Sequence, residues 1–221
     1  TRYREPRLFR NDPRIRFHNV IHETMMADVE ALVRRNGRRI GASSLRVDHF
    51  GYDGDQSAKH RRNIPLLRAR LERDPDHVYS WNHLGQALAG LGDLTAAVAA
   101  WRRGVDVVRA RGAQSALDAL PYGSLLLAPG AAATTELLDE AREHLPGDDL
   151  FQWLDGRRLA ARGQFEHAIA RLEPLAAVDA GSFCAENGVS YDVRIFGVYA
   201  CDALALCHFR LGRYDESARY Y

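Results

Sequence analysis

The intervals inside WNHLGQALAGLGDLTAAVAAWRRGV, Trp81 to Val105, constrain the fold more than any other stretch of this 221-residue chain. From Trp81 the steps to Leu84, Gly85, Leu88, Gly92, Asp93, Ala97, Trp101 and Gly104 are three, one, three, four, one, four, four and three residues. Those are the steps of a helix face, interrupted once at Gly92-Asp93. Trp81, Leu84 and Leu88 make the inner stripe of one helix, and Ala97, Trp101 and Gly104 that of the next. Gly85 and Ala97 are small because two antiparallel helices approach closely there. The stretch reads as an αα-hairpin. One such hairpin cannot bury its apolar stripe, so others must stack on it.

The unit recurs. FQWLDGRRLAARGQFEHAIARLEPL puts Gly156, Leu159, Gly163, Phe165, Ala168 and Leu172 in the matching slots, and CDALALCHFRLGRYDESARYY does so with Cys201, Leu204, Ala205, Gly212, Tyr214 and Tyr221. Between them, Leu138, Ala141 and Pro146 hold second-helix positions behind a degenerate first helix. The turn positions Gly92, Pro129, Gly163 and Gly212 lie 37, 34 and 49 residues apart, the last interval leaving an insertion, DAGSFCAENGVSYD, expected to be a loop.

This pattern resembles the tetratricopeptide repeat, with Leu88 in place of the usual Tyr and Gly104 in place of the usual Ala. The resemblance implies a mainly α fold, with an α-solenoid of about four helix pairs over residues 56–221. Its structural positions are Trp81, Leu84, Gly85, Gly92, Ala97, Trp101, Gly156, Gly163, Ala168 and Gly212. By analogy with other members, Asn82, Gln86 and Ala89 are candidates for a peptide groove, the two amides able to bond an extended backbone. A lysine-rich carboxylate clamp is poorly supported, since Lys59 is the only lysine and precedes the first signature residue, Trp81.

Upstream, NIPLLRARLERDPDH reads as a helix with Ile64, Leu67 and Leu71 on one side, Pro65 in its first turn and Asp74-Pro75 at its end. A start nearer Ser57 would place Pro65 in the interior and kink the helix. Residues 1–55 are of another kind. RIRFHNVIH suggests a short strand or two, and SLRVDHFGY another. MMADVEALVRRNGRRI has Met25, Val29, Leu32 and Val33 at helical spacing, with Asn36-Gly37 as a stop. Three such pieces cannot enclose a core of their own and would cover part of a larger sheet.

Four pieces of this region occur in a telling order: RLFRND (Arg7 to Asp12), IRFHNVIHE (Ile15 to Glu23), VDHFGYDG (Val47 to Gly54) and HRRNIPLLRARLERDPDH. Together they resemble the end of the catalytic domain in bacterial family 2 glycosyltransferases that carry tetratricopeptide tails. Asn19 stands where that group has Gly before its VIHE-like segment. The resemblance implies a GT-A-type domain that transfers a sugar from a nucleotide-sugar donor with a divalent metal, Mn or Mg. The metal neutralises the leaving diphosphate and a carboxylate takes the acceptor proton. His22 and Glu23 are then the candidate catalytic residues and His49 a candidate metal ligand. Alternation along a strand points His22 and Glu23 to opposite faces, so one of them reaches the cleft. The nucleotide-binding half is missing from the sequence, and Asp53 to Asp55 (DGD) reads as a linker turn rather than a metal-binding D-x-D. Beginning at Thr1 and ending within a helical pattern, the chain is expected to be a fragment, inactive by itself.

Other function classes find little support. A net charge of +1 offers no field for nucleic acid, and the arginine pairs at 34–35, 38–39, 61–62, 102–103 and 157–158 are scattered among acids, as on solvated faces. No apolar run reaches the length of a membrane span. Cys184, Cys201 and Cys207 form neither a disulfide framework nor a zinc site and suit a reducing cytoplasm. Phosphate-loop, dinucleotide and metalloprotease motifs are absent. Two readings stand. One is the C-terminal portion of a glycosyltransferase, its repeats serving acceptor or protein recognition or forming a homodimer. The alternative is a non-enzymatic repeat scaffold with residues 1–55 as a cap.

Overall fold

The computed structural model describes residues 8–19, 21, 23–37, 39–41, 43, 54–130, 134–179 and 192–221. Within them the chain is mainly helical and carries ten α-helices. They are α1 (Met26–Asn36), α2 (Ser57–Arg73), α3 (Val78–Gly90), α4 (Leu94–Arg111) and α5 (Ala119–Leu127), then α6 (Thr135–His144), α7 (Asp149–Ala161), α8 (Phe165–Ala176), α9 (Val198–Arg210) and α10 (Tyr214–Tyr220).

From α2 onward each helix packs on the next in sequence, and α3 also touches α5 as α7 touches α9. The same turn ends α3, α7 and α9. At the first, the Gly92 amide bonds the Ala89 carbonyl at 2.9 Å and the Asp93 amide bonds Leu88 at 3.0 Å. Gly163 and Gln164, and Gly212 and Arg213, repeat both bonds on their own helices. This is a Schellman arrangement, which needs a left-handed residue. Gly92, Gly163 and Gly212 supply it with φ of 86°, 75° and 75°. A side chain at these three positions would strain the backbone.

Side-chain packing repeats with the turns. Ala97, Ala168 and Ser217 hold the same place on the second helix of each pair, and all three are buried. A Cβ on Gly85 would run into the Trp101 ring, and one on Gly156 would meet Leu172. Each of these contacts spans 16 residues, so the two hairpins share one register.

Two apolar clusters form. The first runs from Ile21 and Leu67 through Trp101, Val105 and Tyr122 to Phe151, and the second from Trp153 through Leu172, Leu175, Phe196 and Leu204 to Cys207. Leu150 and Leu154 of α7 pack against both, so α7 joins the two. Each buried large side chain contributes about 1.5–3 kcal/mol relative to exposure.

Several details differ from the sequence expectations. Helix α2 begins at Ser57, not near Asn63, so Pro65 lies inside it. The Asp55 carboxylate accepts the Ser57 amide at 2.8 Å, an Asx turn just before the N-cap Gln56, whose own side chain makes no capping bond. Pro65 is exposed, so water can satisfy the carbonyl that its missing N–H leaves open. Pro146 stands in the turn after α6 rather than in a second helix, while Leu138 and Ala141 are buried on α6.

The expected strand at Ile15–Ile21 is reduced, among the described residues, to a single antiparallel bridge between His18 and Thr24. The neighbouring strand of a sheet is what a longer ladder would need. Helix α1 is capped at Gly37, φ 61°, as the Asn36-Gly37 signal predicts, but buries none of its residues. The predicted strand SLRVDHFGY and most of the insertion before α9 lie outside the described residues.

Candidate functional site

The turn from Ile15 to Asp28 carries the one predicted catalytic side chain that the structure describes. Its base is closed by reciprocal backbone bonds of 2.9 and 3.1 Å between His18 and Thr24. Asp28, at the start of α1, accepts the Arg16 amide and the His18 ring Nε2–H, each at 2.8 Å. The Arg16 amide first, and the His18 ring second, hold the Asp28 carboxyl below the usual carboxylate range.

Asn19 takes φ 77°, the one described non-glycine residue in the left-handed region. Its side-chain oxygen accepts Arg70 Nη1 of α2 at 2.5 Å. Ile21 and Met25 are buried, whereas Glu23 between them is exposed. A free carboxylate in that position can accept a proton from a bound hydroxyl. His22 and His49 lie outside the described residues. Among the described residues no three His, Cys, Asp or Glu side chains gather as a metal-binding group.

Leu8, Phe9, Phe17 and Ile40 are exposed, Leu8 by 75% and Phe17 by 65%.

The three predicted groove residues do not share a face open to solvent. Asn82 is fully buried: its backbone carbonyl accepts Trp101 Nε1–H at 3.1 Å and its side-chain oxygen accepts the Ser124 hydroxyl at 2.7 Å. It thus ties α3 to both α4 and α5. Gln86 is exposed, and Ala89 is half-buried against the first core. Asn82 is therefore a packing residue, and an extended peptide has only Gln86 of the predicted pair of amides to bond. Among the repeat positions, Trp81 is half-buried with its Nε1–H donated to the Pro75 carbonyl at 2.7 Å, and Leu84 is buried.

The register position of Asn82 is taken in α7 by Trp153, which stacks on Tyr199 of α9 with ring centroids 5.9 Å apart. Arg157 lies over Trp153 at 5.0 Å and Arg194 over Tyr199 at 4.9 Å, so both ends of the aromatic pair carry a guanidinium.

Charge is also buried on α7. Asp155, 2% exposed, is approached by Arg158 at 2.7 Å, Arg142 at 3.0 Å and Arg171 at 3.2 Å. Arg158 also reaches Asp139 at 2.8 Å. The expectation that the 157–158 pair is a solvated face holds for Arg157, which is exposed, and fails for Arg158. The available signal was an acid immediately before a glycine that packs against another helix. Similarly, Glu140 accepts Arg109 through two bonds of 2.6 and 2.7 Å and the Tyr122 hydroxyl at 2.6 Å, which joins α4, α5 and α6. Cys207 is buried and its thiol pKa is raised by that burial, while Cys201 is half-buried; Cys184 lies outside the described residues.

Within the described residues no helix is long and apolar enough to cross a membrane. No family model matches the chain, and no curated protein matches it.

Proposed function

We propose that this chain is the C-terminal portion of a nucleotide-sugar-dependent glycosyltransferase of GT-A type, followed by a tetratricopeptide array that recognises an acceptor or protein or forms a homodimer. One observation carries the reading. The resembled family has Gly where this chain has Asn19, and the backbone at Asn19 is left-handed, φ 77°. Gly adopts that conformation freely and Asn is among the side-chain-bearing residues that tolerate it best. The departure in sequence is therefore compatible with the same local backbone.

Two further facts support it. The exposed Leu8, Phe9, Phe17 and Ile40, with an α1 that buries nothing, suit an edge covered by the rest of a catalytic domain. The three matching Schellman turns and the repeated Gly85–Trp101 and Gly156–Leu172 contacts suit the tetratricopeptide assignment of residues 56–221. In this reading Glu23 serves the acceptor hydroxyl. Among the described residues no cluster of His, Cys, Asp or Glu fits a divalent metal. The proposed setting is the cytoplasm.

The scaffold reading is favoured by a different fact: Ile21 and Met25 are buried and Ile21 belongs to the first repeat core, as a cap would require. Calorimetric titration of the full-length gene product with a panel of nucleotide sugars, with and without manganese, separates the two. Binding by that protein and none by the present chain is the result expected of the transferase. Absence of binding by both favours the scaffold.

A further inference from the structure

We propose that Asn19 and Arg70 form a latch by which the repeat array positions the turn that carries Glu23, an inference that rests on the glycosyltransferase reading. The turn is held together by His18, Thr24 and Asp28, but those contacts are all internal to residues 16–28 and leave its placement on the repeats undetermined. Placement comes from α2. Leu67, Arg70 and Leu71 lie on one face of that helix, at i, i+3 and i+4. Leu67 and Leu71 share an apolar cluster with Ile21, and Arg70 reaches across 51 residues of sequence to the Asn19 carboxamide. Asp74, 3.9 Å from the Arg70 guanidinium, pairs with it from the C-cap of that helix.

Asn19 does two things at once. Its backbone takes the left-handed conformation, and its side chain supplies the acceptor for Arg70. A glycine can do the first and not the second. The residue that departs from the resembled pattern is thus the one that adds an anchor. Asn19 accepts Arg70, Ile21 shares the apolar cluster of Leu67 and Leu71, and Met25 is buried, so the exposed Glu23 is flanked in sequence by residues tied to α2 or enclosed. Arg70 touches no reacting group and acts as a positioning residue.

The test has two readouts. Hydrogen exchange in this chain is followed on peptides spanning residues 15–25, comparing wild type with Arg70→Met, which keeps much of the stem, and Arg70→Lys, which keeps a donor. Exchange there is expected to rise roughly tenfold in Arg70→Met, with α3 and α4 unchanged and most protection restored in Arg70→Lys. Unchanged exchange in Arg70→Met overturns the latch. In the protein that includes the whole catalytic domain, Arg70→Met is expected to lower kcat about tenfold with KM for the donor within about twofold, and Arg70→Lys to recover it. Faster exchange with an unaltered kcat overturns the positioning role. If the wild-type protein transfers no sugar from any nucleotide donor, the transferase reading falls and the positioning role falls with it, whereas the exchange comparison still decides the latch.

Discussion

A Cβ placed on Gly85 lies 2.2 Å from Nε1 of Trp101, the same nitrogen whose hydrogen is donated to the Asn82 carbonyl. The indole is buried and tied to the α3 backbone by that bond. At Gly156 the equivalent Cβ would meet Cδ2 and Cγ of Leu172, both at 2.7 Å, a longer approach to an aliphatic side chain that no hydrogen bond holds. Gly85→Ala is therefore expected to destabilise by about 1–3 kcal/mol, and Gly156→Ala by less. Urea unfolding of the two variants checks the order; equal losses would show that Trp101 is not the constraint.

Asp155 is buried among Arg142, Arg158 and Arg171. Asp155→Asn leaves those cations without their shared partner and is expected to cost about 3 kcal/mol, less than a wholly buried group because the arginines reach solvent. Asp192, exposed and paired with Arg194 at 2.6 Å, is the control. Its Asn variant is expected to stay within about 1 kcal/mol. Chemical denaturation in low and high salt distinguishes them, the Asp155 loss persisting in salt.

His77 opens α3 by accepting the Ser80 amide on Nδ1 at 3.2 Å, 2.7 Å from the Ser80 hydroxyl. Burial, and then the nearby Arg70 charge, lower its pKa, with Asp74 opposing. The unfolded chain, with a value of about 6.5, thus takes up the proton at a higher pH than the folded one. His77 contributes its full share of stability above that value and loses it as pH falls towards the lowered folded value. His77→Asn keeps a capping acceptor without the titration. Its stability is expected to fall less steeply than wild type below pH ~6.5, as measured by thermal melting across pH.

Asn19→Gly and Asn19→Ala both remove the acceptor for Arg70, but only Ala carries a Cβ into the left-handed region. The Ala variant is expected to open the 15–25 turn by about 1 kcal/mol more than the Gly variant. Hydrogen exchange of that segment reads the difference directly, and equal protection would mean that the backbone relaxes out of φ 77°.

How much of this was legible in the sequence depends on the range of the interaction that decides each feature. Helix pairs α3–α4, α7–α8 and α9–α10 follow from apolar spacing and from glycines at their turns, because a Schellman turn is settled within six residues. The stop at Gly37 is legible for the same reason. Pro65 is a strong local signal for a start near Asn63, whereas α2 begins at Ser57 behind the Asp55 turn, and the exposure of Pro65 makes an interior proline tolerable.

The candidate site divides along the same line. Sequence placed Glu23 at the end of an expected strand, where the described residues hold a single bridge, and marked Asn19 as a departure from the resembled pattern. It could not reveal the Arg70 contact, whose partner is 51 residues away. Gln86 and Asn82 looked alike as exposed amides of one helix. Only the arrival of α5, with Ser124 42 residues downstream, buries one and leaves the other in solvent. Periodicity determines which side of a helix is apolar and where each helix stops, since both are properties of neighbouring residues. Which polar side chains are enclosed, and which charges must pair, was decided by tertiary structure, because desolvation depends on whatever distant segment comes to lie against them.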